Sequence, residues 1–186
     1  MSPEEFNIRL SRKASEIKTY AQTRYPSVAG NIALRFVNGN FRAQGFQGQS
    51  FERWQKSKKK SGSTLVDKGF LRAATYYTTQ PGQTTLKNST PYAKAHNEGF
   101  NGTVTVAAHS RNRYTRSKVG TGKFTKSGKE RTQKVTSKSG SSMVKAHRRK
   151  MNLPKRQFMP THPNDSPVLN NAIERQVIRD INKLMQ

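Results

Sequence analysis

Between Asn101 and Lys150 the sequence carries fourteen Lys and Arg residues and one acid, Glu130, a local net charge of +13. From about residue 107 to residue 150 the composition is Ser, Thr, Gly, Lys and Arg, with only scattered apolar residues such as Tyr114, Val119, Phe124, Val135 and Val144. A stretch of this kind cannot bury enough apolar surface to offset the entropy lost on ordering it against a core. A packed core must therefore come from the flanks. The expected organisation is a single domain made of residues 1–106 and 151–186, with residues 107–150 as a basic, low-complexity insertion. Some forty residues without periodicity is too long for an ordinary loop, which leaves an extended arm, a long β-hairpin, or a segment ordered by its partner.

The cations in question are Arg111, Arg113, Arg116, Lys118, Lys123, Lys126, Lys129, Arg131, Lys134, Lys138, Lys145, Arg148, Arg149 and Lys150. Over all 186 residues 35 Lys and Arg face 10 Asp and Glu, a net charge of +25 that points to nucleic acid or an acidic protein surface as partner. The absence of cysteine excludes a disulfide framework, a thiolate metal site and a cysteine nucleophile together. No run approaches the roughly 18 apolar residues of a membrane span, and MSPEEFNIRL has no leader-like core, so the expectation is a cytoplasmic chain with no membrane partner.

Both ends read as amphipathic helices. Ser2-Pro3-Glu4-Glu5 is a capping box with proline at the first helical position, and Phe6, Leu10, Ala14, Ile17 and Ala21 follow at helical spacing over residues 3–23. Near the other end Asp165 or Ser166 can cap, Pro167 opens, and Leu169, Ala172, Ile173, Val177, Ile181 and Leu184 repeat the stripe. A shorter helix is expected from Ser27 to Val37, stopped by Asn38-Gly39-Asn40. Phe41, Phe46, Phe51 and Trp54 then read as rings anchoring an irregular segment. Thr75–Thr79 and Thr84–Lys87 around Gln80-Pro81-Gly82-Gln83 form a hairpin pattern, and Thr103–Val106 is a third strand.

The segment PYAKAHNEGF, residues 91–100, groups Tyr92, His96, Asn97 and Glu98 before Gly99. As chemistry, His96 could be a base and Glu98 its orienting acid. No nucleophile, carboxylate cluster or paired histidine elsewhere completes such a site, and His109, His147 and His162 stand alone. The segment is read instead as a short helical turn seated by Tyr92, Ala93 and Ala95 and ended where Gly99 supplies a positive φ. Neither catalysis nor a metal or other cofactor is expected.

Trp54, then Leu65-Val66-Asp67-Lys68-Gly69-Phe70-Leu71-Arg72, then Pro91-Tyr92-Ala93 with His96-Asn97-Glu98-Gly99, then Leu153-Pro154-Lys155-Arg156-Gln157-Phe158-Met159 stand in that order. In this order and these residues the chain resembles the tailed-phage virion morphogenesis family, typified by the G protein of phage Mu and similar to the tail-completion proteins related to the lambda minor tail protein Z. Lys68 and Ala74 stand where that family commonly has threonine and serine, and the basic stretch looks like an insertion. The resemblance makes Trp54, Gly69, Leu71, Tyr92, His96, Gly99, Pro154 and Phe158 structural residues. It implies a virion protein of the neck, assembled in the host cytoplasm, that joins or completes the tail at the head–tail interface.

The fold expected from residues and resemblance together is α+β, a small central antiparallel sheet packed by N- and C-terminal helices, with the long basic arm inserted. The expected assembly is a homo-oligomeric ring, six-fold or twelve-fold, around the DNA channel, between portal, adaptor or stopper proteins on one side and tail terminator or tube proteins on the other. Within it the basic stretch could face genome DNA, clamp an acidic ring neighbour, or remain a solvated loop. A small basic nucleic-acid-binding protein of ribosomal or nucleoid type is the alternative that the charge alone would support.

Overall fold

Ser2 accepts the Glu5 amide through its hydroxyl while the Glu5 carboxylate receives the Ser2 amide, closing the capping box that starts helix α1, Pro3–Thr19. The computed structural model describes residues 2–57 and 62–186. From α1 the chain does not leave the helical path. It passes through one π-helical turn, Tyr20–Arg24, into helix α2, Tyr25–Ala43. Pro26 explains the irregular turn, because it has no N–H to give to the Gln22 carbonyl one turn back. That carbonyl accepts the Gly82 amide at 3.3 Å instead.

Asn38, Gly39 and Asn40, expected to end α2, lie inside it. Asn40 is fully buried, its amide donating to the Phe158 carbonyl (3.1 Å) and its oxygen accepting the Gln47 amide (3.2 Å). Tertiary bonds thus outweigh the local preference of asparagine for a helix end. The helix stops at Gln44, in the left-handed region with φ 57°, whose side chain bonds the Phe41 and Thr64 carbonyls and the Thr64 amide.

Strands β1, Gly45–Gln47, and β2, Phe51–Arg53, then pair antiparallel. Of the expected ring cluster, Phe41, Phe46 and Trp54 are buried, but Phe51 is half exposed and lies over Gly45 rather than in the core. Helix α3, Phe70–Ala73, leads into the hairpin of β3, Thr75–Gln80, and β4, Gln83–Asn88, with Pro81-Gly82 as its two-residue turn and Gly82 at φ 72°. The Tyr77 ring of β3 lies against α2 at Gly30, where a side chain would overlap it. Helix α4, Ala93–Asn97, precedes β5, Phe100–Val106.

The basic region follows as β6, His109–Phe124, and β7, Glu130–Val144, then β8, His147–Leu153, before helix α5, Pro167–Met185. Ser166, buried, is the cap of α5 and accepts the Leu169 amide. The class is α+β, with the strands in small two-stranded sheets: β1 with β2, β3 with β4, β5 with β8, and β6 with β7. The expected third strand, Thr103–Val106, therefore pairs with β8 and not with the hairpin before it.

The chain divides into two compact units, Met1–Phe100 with Leu153–Gln186, and Asn101–Asn152. The core of the first is Val37, Phe41, Trp54, Leu71, Ala93 and Phe158, with Phe36, Leu65, Val66, Leu86 and Met159 packed around it. No helix among the described residues is long and apolar enough to cross a membrane.

Candidate functional site

The residues singled out by the family resemblance meet around one extended segment, Lys155–Met159. Its backbone belongs to no strand, so its polar groups need other partners. Arg156 N donates to the His96 carbonyl (2.8 Å), the Trp54 indole Nε1 donates to the Gln157 carbonyl (2.7 Å), and the Phe158 and Met159 amides both reach Asn97 Oδ1 (2.9 and 3.0 Å). With Asn40 on the Phe158 carbonyl, side chains and main chain from α2, the stretch after β2, and α4 hold four consecutive residues, 156–159. Phe158 is fully buried, 5.3 Å from the Phe41 ring, and Trp54 meets Phe41 edge-on at 5.5 Å. Gly99, at φ 83°, lets the chain pass where a Cβ would stand 3.1 Å from Lys155 N. Pro154, half-buried, leads into this segment and Gly69, at φ 80°, opens α3 so that Leu71 reaches the core.

His96 lies between this knot and a cavity of about 420 Å³ lined by Thr64–Leu71, Tyr92 and Arg156 among others. Its Nδ1 is buried and has no hydrogen-bond partner among the described residues, and burial, helped by the nearby Arg156 charge, lowers its pKa and keeps the ring neutral at pH 7. Tyr92, largely exposed, meets the His96 ring edge-on at 5.9 Å. The Glu98 carboxylate is 3.9 Å from Lys94 Nζ, on the exposed side of α4. Among the described residues no group of three or more His, Cys, Asp or Glu could hold a metal ion. What this arrangement does chemically is bind main chain.

The roles of three residues of the knot are not read from the sequence. Asn40 and Asn97 read as helix-stop residues, and Arg156, 8% exposed and donating to the Gln55 carbonyl (2.9 Å), stands in the Leu153–Met159 segment of the resemblance with no role assigned to its side chain. Their roles depend on partners 61 to 118 residues away.

The fourteen cations are all exposed and all in the second unit, away from that knot in sequence. Arg111, Arg113, Arg116, Lys118 and Lys123 lie on β6. Lys126 and Lys129 lie in the connection closed by Thr125 and Gly128, Arg131, Lys134 and Lys138 on β7, Lys145 after it, and Arg148, Arg149 and Lys150 on β8. Of the three forms open to the stretch, it takes the β-hairpin. The register runs from His109↔Val144 through Gly120↔Thr132 to Phe124↔Glu130, with irregularities after Arg113 and between Gly120 and Phe124. Glu130, the unit's acid, uses its carboxylate to accept the Gly122 amide at the far end (3.0 Å).

No protein-family model, curated protein or solved structure matches the chain.

Proposed function

We propose that the protein is a structural subunit of the tailed-phage neck, which joins or completes the tail at the head–tail interface as part of a homo-oligomeric ring around the DNA channel, without catalysis. The observation that supports the reading is that the segments carrying the resemblance to the virion morphogenesis family, Trp54, Gly69 to Leu71, Tyr92 to Gly99 and Pro154 to Phe158, contribute to one core. Their use as a clamp on main chain agrees with a scaffold role.

Self-association has its own support. Helix α1 has no buried residue although Phe6, Ile8 and Leu10 are large and apolar, each more than half exposed. Beside its C-terminal end an apolar groove of about 550 Å³, lined by Ile17, Ala21, Tyr25, Ile173, Val177 and Ile181 among others, runs between the two terminal helices. Bare apolar side chains and an apolar groove at different places on one chain are what a repeated head-to-tail contact between copies requires, and such contacts form rings where the rotation between copies closes. The family resemblance sets the expected neighbours as portal, adaptor or stopper proteins on one side and tail terminator or tube proteins on the other, and the virion as the site of action.

The nucleic-acid-binding reading of ribosomal or nucleoid type is favoured by one observation, the cationic hairpin. Sedimentation and electron microscopy of the purified chain separate the two. A discrete ring is expected; a monomer that shifts RNA and forms no ring would overturn the neck assignment.

A further inference from the structure

Successive residues of a strand point to opposite faces, and residues paired across an antiparallel ladder share a face. In the regular part of the hairpin, Tyr114–Gly120 against Thr132–Lys138, one face therefore carries Tyr114, Arg116, Lys118, Lys134, Thr136 and Lys138. The other carries Thr115, Ser117, Val119, Gln133, Val135 and Ser137; Thr115 and Ser137 touch through their hydroxyls across it (3.4 Å). Every charge of this section is on the first face and none on the second. Solubility alone would not need that separation, since both faces are exposed.

The arrangement also works against the hairpin itself. Lys118 stands directly opposite Lys134, and Arg116 and then Lys138 follow on the same face toward Tyr114, with no acid on that face to compensate. Like charges placed across a ladder destabilise it. A bound polyanion removes that repulsion.

We propose that this face is a nucleic-acid-binding surface that takes duplex DNA through its phosphates. Three observations favour DNA over an acidic protein. The aliphatic residues of the section, Val119 and Val135, are on the opposite face, and the one ring on the cationic face, Tyr114, stands at its end, so the middle of that face has no apolar cluster from which a protein interface could be built. Three of its four cations are lysines, the type depleted in protein interfaces but suited to sequence-independent phosphate contact. The cations also sit on a two-stranded ribbon, a shape that the major groove of duplex DNA admits, with Arg116 and Lys118 about 6.8 Å apart along β6 and Lys134 and Lys138 about 13.6 Å apart along β7. The inference rests on the neck reading only for naming packaged DNA as the polyanion met in the virion.

The test is fluorescence anisotropy of the full-length protein with a labelled duplex of about 30 base pairs over a salt series. Replacing Arg116, Lys118, Lys134 and Lys138 by Thr, which suits a strand, should weaken binding at least about ten-fold and reduce the log–log salt slope by about 3 to 4. Removing the same charge elsewhere, with Lys123→Thr, Lys126→Thr, Lys129→Thr and Lys145→Thr, should weaken it clearly less. Exchanging the four face residues Arg for Lys and Lys for Arg should retain affinity and slope, which separates lost charge from lost folding. Equal losses in the two Thr sets, no binding by the unaltered protein, or displacement of the duplex by polyglutamate at equal charge would each overturn the proposal. Sedimentation of the same samples reports on the ring: rings that ignore DNA would sink this inference alone, and DNA-binding monomers would sink the neck reading alone.

Discussion

The carboxamide oxygen of Asn97 accepts the Phe158 amide at 2.9 Å in a place where the first residue is 1% and the second 0% exposed. The same oxygen takes the Met159 amide at 3.0 Å, so one side chain satisfies two consecutive backbone donors of a segment that has no strand partner. Asn97→Ala would leave two N–H groups without an acceptor, and at about 1 to 3 kcal/mol for each buried unsatisfied group the variant should lose about 2 to 6 kcal/mol. Urea unfolding measures it. A loss under about 1 kcal/mol would mean that water reaches the segment and the knot is not closed.

Phe158 tests the other half of the same locus. Its ring is fully enclosed beside Phe41 and Trp54, and Phe158→Ala should cost about 3 to 5 kcal/mol by removing buried surface and leaving a cavity. An unchanged melting temperature would contradict the burial described here.

Two glycines of α2 should respond in opposite directions to the same change. Alanine is favoured over glycine in a helix interior by about 1 kcal/mol, and at Gly39, with nothing within 4 Å of a new Cβ, that gain should appear as added stability. At Gly30 the new Cβ would overlap the Tyr77 ring. Overpacking of about 1 to 3 kcal/mol then exceeds the helix gain, so Gly30→Ala should be less stable than the parent and loosen the β3–β4 hairpin. Thermal melts of both variants decide it, and a stabilised Gly30→Ala would show that Tyr77 does not pack there.

Much of this was legible in sequence wherever the signal was local. The capping box at Ser2 to Glu5, the Ser166-Pro167 start of α5 and the Pro81-Gly82 turn each state their structure within a few residues. The sequence failed where a distant partner decides. Asn38-Gly39-Asn40 has the composition of a helix stop, yet Asn40 stays helical because the Phe158 carbonyl, 118 residues on, takes its amide. Charge raised the expectation of an anionic partner for the basic stretch, but the alignment of Arg116, Lys118, Lys134 and Lys138 on one face needed the ladder register, which composition does not contain.

Asp165 links the cap of α5 to pH. Its partial burial would raise the carboxyl, but hydrogen bonds from the Thr161 and His162 amides, the Thr161 hydroxyl and Gln157 outweigh that and bring the pKa from 3.8 to about 2. A folded-state value below the unfolded one means that the contribution is complete above about pH 4 and is lost as pH falls through about 2. Asp165→Asn should therefore be less stable than the parent at neutral pH, with the gap closing between pH 4 and 2 in acid unfolding curves. A gap that is the same at both ends would mean that the charge makes no difference.

The hairpin also has a bearing on the order in which this chain folds. The knot needs Asn97 to find Phe158 across 61 residues, and each halving of a loop lowers its closure cost by about 0.6 kcal/mol. The pairing of β6 with β7 starts from the short connection at residues 125–129 and needs no distant contact, so it can zip within about 1 to 10 μs, before the core assembles. Once zipped, it carries the chain back from Phe124 to Val144 beside His109 and leaves only short tethers to close. Breaking the ladder with Thr136→Pro should slow stopped-flow refolding of the helical unit, whereas excising residues 110–148 should not. A segment that adds nothing to the core would then set the pace at which the core forms.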